Sequence, residues 1–347
     1  MDRSKIKAFM EQFEGLVTGA TAIGALAIAD RSGVLEAMRG AGWLTVAQLA
    51  NDRFAPRYVE EILSVLAAVG VLDYEPESSR FLLPDEHAAC LADPDSPYLL
   101  AGWLDMLPAA MKSIDDISRA TVHGSGIPLN DFDDRVVIGI DRLNSPGTRI
   151  LLTKRWLPAM PDVVAILEAG GKIADVGCGS GTAALAMAAA YPQATVFGYD
   201  IDDRALAEAN RRARESGLKN IAFARLPAAD LPTGFDLVTT FDVIHDLSHP
   251  IDALRGIRSA LASGGTYLMV EPAAAPNLEG NFNSRGAMIL GISLLYCLPQ
   301  ALVGGGIGLG AGWGPHRAKD LCRQVGFSRF EQLDIDNPYS NFYRVGE

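Results

Sequence analysis

The segment that most constrains the fold is Asp175-Val176-Gly177-Cys178-Gly179-Ser180-Gly181, which joins the apolar run KIADV to the alanine-rich run TAALAMAAAY. A strand must end and a helix begin within these few residues, and glycine turns that tightly without a Cβ penalty. The new helix would present free backbone N–H groups to whatever lies above the turn. The dinucleotide fingerprint G-x-G-x-x-G requires glycine at position 182, where this chain has Thr182. From Lys172 onward the runs KIADV, TVFGYD, IAFARL, FDLVTTF, TYLMVEP, RFEQLDI and FYRV appear as strands, the earlier ones separated by helical patterns. That alternation predicts an α/β fold, a doubly wound Rossmann-like sheet that binds its ligand at the carboxyl ends of the strands.

A chain of 347 residues has room for a second domain. We expect a mostly helical domain over 1–159, with linker helices, and the sheet domain over 160–347. Ile6, Phe9, Met10 and Phe13 recur at helical spacing, and Ala20–Ala29 is nearly uncharged. A helix this apolar needs cover, from its own domain or from a second copy, so a homodimer is expected. Thr45-Val46-Ala47-Gln48 is a capping-box signature, and Pro56 opens a helix whose Val59, Ile62, Leu63, Leu66 and Val69 share one face. Two short strands around Glu75-Pro76-Glu77-Ser78-Ser79 complete a winged-helix pattern.

A winged helix raises DNA recognition, and charge argues against it. Between Thr45 and Pro97 stand ten carboxylates and only three arginines, and the second helix carries Glu60 and Glu61 where phosphate contacts want Arg or Lys. The whole chain has a net charge of −12, which also disfavours a nucleic-acid partner. Cys90, Cys178, Cys297 and Cys322 are widely spaced, as reduced thiols of a cytoplasmic protein would be. The N-terminus lacks the apolar core of a signal peptide. Gly286–His316 contains no Asp, Glu, Lys or Arg, but Pro299 and a glycine-rich second half suit a mobile apolar lid or pocket wall better than a membrane span.

The glycine turn, with its acidic residue two positions before the first glycine, resembles the D/E-x-G-x-G-x-G motif of class I S-adenosylmethionine (SAM) dependent methyltransferases. With the N-terminal helices, LLPDEHAACL, WLPAMP and DLVTTFDVIHD, the chain looks like the winged-helix-bearing small-molecule methyltransferases of bacteria. The resemblance implies SAM as cofactor, with Asp175 toward its ammonium and the amides of Gly177, Cys178, Gly179 and Gly181 toward its carboxylate. Asp200, 23 positions beyond Gly177 and followed by Ile201, would take the ribose hydroxyls. Asp230 and Leu231 would face the adenine, and Phe241 ends the strand that borders the sulfonium.

In FDVIHD, His245 has the right chemistry for a general base, or it is a structural histidine bonded to Asp246 or a carbonyl. Glu271 could orient a polar acceptor or cap its strand, and His316 could close over the substrate or only start a helix. His245, Asp246 and His249 lack the shared helical face of a metal site, so no metal is expected. The two-histidine-and-acid arrangement of plant phenolic methyltransferases is absent as such, because the fifth strand runs into EPAAAPN. The leading expectation is a cytoplasmic enzyme that methylates oxygen, nitrogen or carbon of a small, partly apolar metabolite. A SAM-sensing transcriptional regulator and a SAM-dependent rearrangement catalyst stay open beside it.

Overall fold

The computed structural model describes residues 1–347. They divide into two compact units that interleave along the chain, residues 1–109 with 134–146, and residues 110–133 with 147–347.

The first unit opens with α1 (Arg3–Ser32), whose start is capped by Asp2 and whose end is turned by Gly33 in the left-handed region. It is followed by α2 (Val34–Met38), α3 (Val46–Ala50) and α4 (Pro56–Ala68), then by the two-stranded wing β1 (Asp73–Glu75) and β2 (Arg80–Leu82). The capping box forms as the sequence predicts, with the Thr45 hydroxyl accepting from the Gln48 amide and the Gln48 side chain accepting from the Thr45 amide. Val59, Ile62, Leu63 and Leu66 of α4 are buried against Leu26, Leu35, Met38 and Leu49. Only the C-terminal end of α1 joins this core. Ile6, Phe9, Met10, Phe13, Leu16 and Val17 are exposed, and α1 is long and apolar enough to cross a membrane by length and composition.

Beginning in the second stretch of the first unit, Arg135–Leu151 is a helix with Pro146 inside it, one that local pattern does not mark. Pro146, Gly139 and Gly147 mask it in the sequence, since each is a poor interior helix former. Gly139 has a packing reason: a Cβ there would stand 2.6 Å from the Gly102 carbonyl, so the two helix backbones touch. Asp105, nearly buried on that second helix, draws Arg135 and Arg142 at 2.9 and 3.1 Å, while Arg142 also grips Asp30 at 2.6 Å.

The second unit is built on a seven-stranded sheet: β3 (Lys172–Val176), β4 (Thr195–Asp200), β5 (Ile221–Arg225), β6 (Phe235–Phe241), β7 (Leu261–Pro272), β8 (Arg329–Gln332) and β9 (Ser340–Gly346). Their spatial order is β5-β4-β3-β6-β7-β9-β8. The first five pair in parallel, and β9 runs antiparallel between β7 and β8. All seven strands are those expected from the sequence. The order of strands reverses between β3 and β6, and a ligand crevice opens at the carboxyl ends of such a pair. One face of the sheet buries Ile173, Val196, Leu237 and Leu268, the other Val176, Val238, Met269 and Tyr343.

Candidate active site

The glycine turn follows β3 at this switch point. Gly177 has φ +67°, and a Cβ there would lie 2.6 Å from Val243, so both backbone angle and space require glycine. Gly179 also has positive φ, yet a Cβ on it would meet nothing within 4 Å, so the turn presents an open concave side. Gly181 leads into the helix Thr182–Ala190, and Cys178 is buried beneath the turn.

Asp175 is almost fully buried at the base of the turn. One carboxylate oxygen accepts from the Thr239 hydroxyl at 2.8 Å, while the other has no hydrogen-bond partner. Burial pushes its carboxyl up to about 7. Asp200 ends β4, and its two oxygens accept from the amides of Gly179, Ile201 and Asp202 at 2.7–2.9 Å. This clamp ties the second strand to the glycine turn. Asp202, not Asp200, caps the following helix through the Arg204 amide. Asp230 closes a 3₁₀ turn and is exposed, whereas the adjacent Leu231 is buried. Phe241 is half-buried beside Trp156, ring centroids 6.2 Å apart.

Beyond β6 the chain turns sharply, with Asp242 in the left-handed region at φ +55°, a strained position for a residue with a side chain. The 3₁₀ turn Ile244–Asp246 then carries His245 inward, where it is buried. Its Nδ1 lies 2.7 Å from one oxygen of Glu271, at the end of β7, and the other Glu271 oxygen accepts the Ile244 amide at 2.9 Å. Nε2 lies 3.2 Å from Asp246. Burial alone would lower the imidazole's proton affinity, but the Asp246 and Glu271 carboxylates overcome it and hold His245 well above its usual range. Cys297 stands in the same group: its sulfur, a ring nitrogen of His245 and an Asp246 oxygen all lie within 4.8 Å of one another, a spacing a metal ion could also bridge. Burial pushes the Cys297 thiol up to about 12, so it stays protonated.

The model of a methyltransferase domain matches residues 167–300, the stretch that holds the glycine turn, Asp200 and His245. Residues 167–300 are a methyltransferase domain. A second match, the Rv2258c-like winged HTH domain, covers residues 19–93. The ubiquinone biosynthesis O-methyltransferase of Pseudomonas syringae pv. tomato is 35% identical over 101 residues, 28% of this chain and 42% of the relative. The chain thus aligns with less than half of that relative's length. Among solved structures, the mitomycin 7-O-methyltransferase superposes over the whole of both chains with a TM-score of 0.73 and 18% identity. Human N-acetylserotonin methyltransferase in complex with SAM superposes over 97% of each with a TM-score of 0.67 and 18% identity. At these identities the likeness is one of fold.

The apolar segment 286–316, expected as a mobile lid or a pocket wall, is helical over its first half. It continues the helix Ser284–Ile292 through a π turn, Ser293–Cys297, and a short helix, Leu298–Ala301, before the glycine-rich stretch. That stretch is bonded to the segment that carries His245: the Gly310 amide donates to the His245 carbonyl at 3.1 Å and the Ile307 amide to the Ser248 carbonyl at 3.2 Å. Gly310 has φ +66°, and a Cβ on it would strike the Ser293 hydroxyl at 2.5 Å. Close packing and left-handed backbone, rather than mobility, explain this glycine.

The sequence marks the glycine turn, Asp200 and His245 as candidates and leaves the role of Glu271 open between orienting an acceptor and capping its strand. The structure gives it a partner, His245. His316 sits on the first turn of the helix Gly314–Gln324, exposed, and lines a cavity with Ala273–Pro276. His249 directly precedes the helix Pro250–Ala260. The sequence does not mark Thr239 or Cys297 as site residues: Thr239 lies inside a strand pattern, and Cys297 lies about fifty positions from His245, with no spacing to mark it.

Proposed function

We propose that this protein transfers a methyl group from SAM to a hydroxyl oxygen of a small, partly apolar metabolite, with His245 as the general base. The observation that carries the reading is the buried His245–Glu271 pair, set at the ends of β6 and β7 beside the glycine turn. An oxygen acceptor is the case in which a base matters, because the hydroxyl must lose its proton as it attacks. The O-methyltransferases among the similar proteins favour the same acceptor class.

The residues present suit SAM. The unpartnered Asp175 oxygen matches an ammonium, the open side of Gly179 leaves room for an amino-acid carboxylate, and Asp200, tied to the glycine turn, supplies carboxylate oxygens suited to ribose hydroxyls. When bound, SAM supplies an electrophilic methyl group. Asp200 and the glycine amides fix the cofactor's position, and Ile201, Leu231 and Phe241 offer apolar surface around it. Glu271 holds the imidazole from its Nδ1 side, which aims Nε2 at the acceptor. Asp246 beside Nε2 stabilises the imidazolium once His245 has taken the proton. The apolar segment 286–313 keeps water from the reacting atoms.

We further infer that a second copy covers the exposed apolar residues of α1, and that the enzyme works in the cytoplasm, where its free cysteines stay reduced. The winged helix favours one rival, a SAM-responsive DNA-binding regulator. Against it, Arg57, the sole basic residue of α4, is engaged by Glu60 and Glu61 of the same helix.

The test is incubation with methyl-labelled SAM and a metabolite extract of the source cells, wild type beside His245→Ala, with products followed by mass spectrometry. A labelled O-methyl product that disappears in the variant is expected. SAM binding with no label transferred, together with a mobility shift on DNA, would put the regulator in its place.

A further inference from the structure

The cavity lined by His316, of about 660 Å³, lies between the Ala273–Pro276 segment that follows β7, the starts of helices Ser284–Ile292 and Gly314–Gln324, and residues of β8 and β9. None of the residues proposed to hold SAM, nor His245, lines it. In a chain of net charge −12, no Asp or Glu lines this cavity, while Arg285, Lys319 and His316 all do. Arg285 and Lys319 form no ion pair, and Tyr339 lies under the Arg285 guanidinium at 5.6 Å, which helps to hold it in place.

The wall's amide groups point the same way. The side-chain oxygens of Asn281, Asn283, Asn337 and Asn341 are each occupied by a donor within the wall: the amides of Ala275 and Gly286, the amides of Tyr339 and Ser340, and the Gln332 side chain. Each of these acceptors already takes at least one hydrogen bond inside the wall, whereas the charged donors Arg285 and Lys319 have no carboxylate partner. We propose that this cavity binds a small anionic metabolite through its carboxylate or phosphate group, with Arg285 and Lys319 as the charged contacts. Its volume suits a ligand of several carbon atoms in addition to the anionic group.

The test is calorimetric titration of the full chain at low salt, in separate runs with citrate and with inorganic phosphate. Binding of either is expected, and which of them binds distinguishes a carboxylate from a phosphate ligand. Arg285→Ala/Lys319→Ala should weaken that binding at least about tenfold, as loss of charge-assisted hydrogen bonds does, with SAM affinity unchanged. Arg255→Ala, on the surface outside this cavity and paired with Asp252, should leave it as it was. Both side chains are at least partly exposed, and an unchanged melting temperature would show that the double variant is folded. No heat with either anion, or equal affinity in the double variant, would overturn the proposal.

Discussion

His245 and Glu271 are held as one unit: one carboxylate oxygen lies 2.7 Å from the imidazole Nδ1, and the other takes the backbone amide of Ile244, one residue before the histidine. Ring and backbone are thus fixed by the same side chain, at the ends of two neighbouring parallel strands. Removing the histidine should lower methyl transfer by about 10²–10⁴, the usual contribution of a general base. Glu271→Gln keeps the shape but weakens the grip on the ring, so kcat should fall while the dissociation constant for SAM stays constant. Steady-state kinetics beside calorimetry checks both, and unchanged kcat in either variant would remove the base from the mechanism.

The charge around that ring sets a pH dependence. Asp246 and Glu271 raise the histidine against the opposing effect of burial, and a base acts only when deprotonated. The rate should therefore climb with pH through a midpoint above the usual imidazole value of roughly 6.5. Asp246→Asn removes one of the two carboxylates and should move that midpoint to lower pH. A pH–rate profile of the two proteins decides it; a midpoint that does not move would mean that Asp246 does not face the working nitrogen.

Asp175 titrates in the opposite functional sense. Burial holds it at about 7 in the folded protein, above the ordinary aspartate value of 3.8, so the unfolded chain ionises first as pH rises. The stability it contributes is present below about 3.8 and is lost as pH passes through about 7. Binding an ammonium reverses the balance by favouring the ionised form, so SAM affinity should increase from pH 6 to pH 8. Asp175→Asn should flatten that rise and raise the melting temperature of the ligand-free protein at pH 8. Calorimetry and thermal melts at the two pH values read out both effects.

In the first unit, Asp105 is nearly buried between Arg31, Arg135 and Arg142, and so joins the helix that carries it to Arg135–Leu151. Stranding a fully buried partner costs about 3–5 kcal/mol, but these arginines are one-third to one-half exposed and Arg142 keeps Asp30. Asp105→Asn should therefore destabilise by about 1–3 kcal/mol. A lower urea midpoint with unchanged slope is the expected result.

What could be read in advance follows from the range over which each feature is encoded. The seven strands, the glycine turn, Asp200 and the capping box at Thr45 are written in runs of a few residues, where local spacing carries the information. Arg135–Leu151 escaped because its glycines and proline contradict local helix propensity, and the close approach of Gly102 and Gly139 that justifies one of them is tertiary. Glu271 was visible as a strand-end acid, but its partner stands 26 positions earlier, and a distance of that kind becomes a contact only through the parallel pairing of β6 with β7. From sequence the glycine-rich segment stays open between a mobile lid and a packed pocket wall. Glycine permits mobility, and it equally permits close packing; the sequence does not say which.

That ambiguity can be tested at Gly310. Its amide is bonded to the carbonyl of His245, its φ is +66°, and the space a Cβ would take is already filled by the Ser293 hydroxyl. Ser293 itself accepts the next amide, that of Ala311, at 3.0 Å, so moving it breaks a second bond in a buried place. If the glycine served mobility alone, Gly310→Ala would leave the stability of the closed segment almost unchanged. If it serves packing, the variant should lose about 1–3 kcal/mol from backbone strain and overcrowding. The displaced segment would also pull on the carbonyl of His245, so kcat should fall even though residue 310 supplies no reacting group. Chemical denaturation and steady-state kinetics on the same preparation separate the two accounts: stability and turnover lost together support the packed segment, and neither lost supports a free lid.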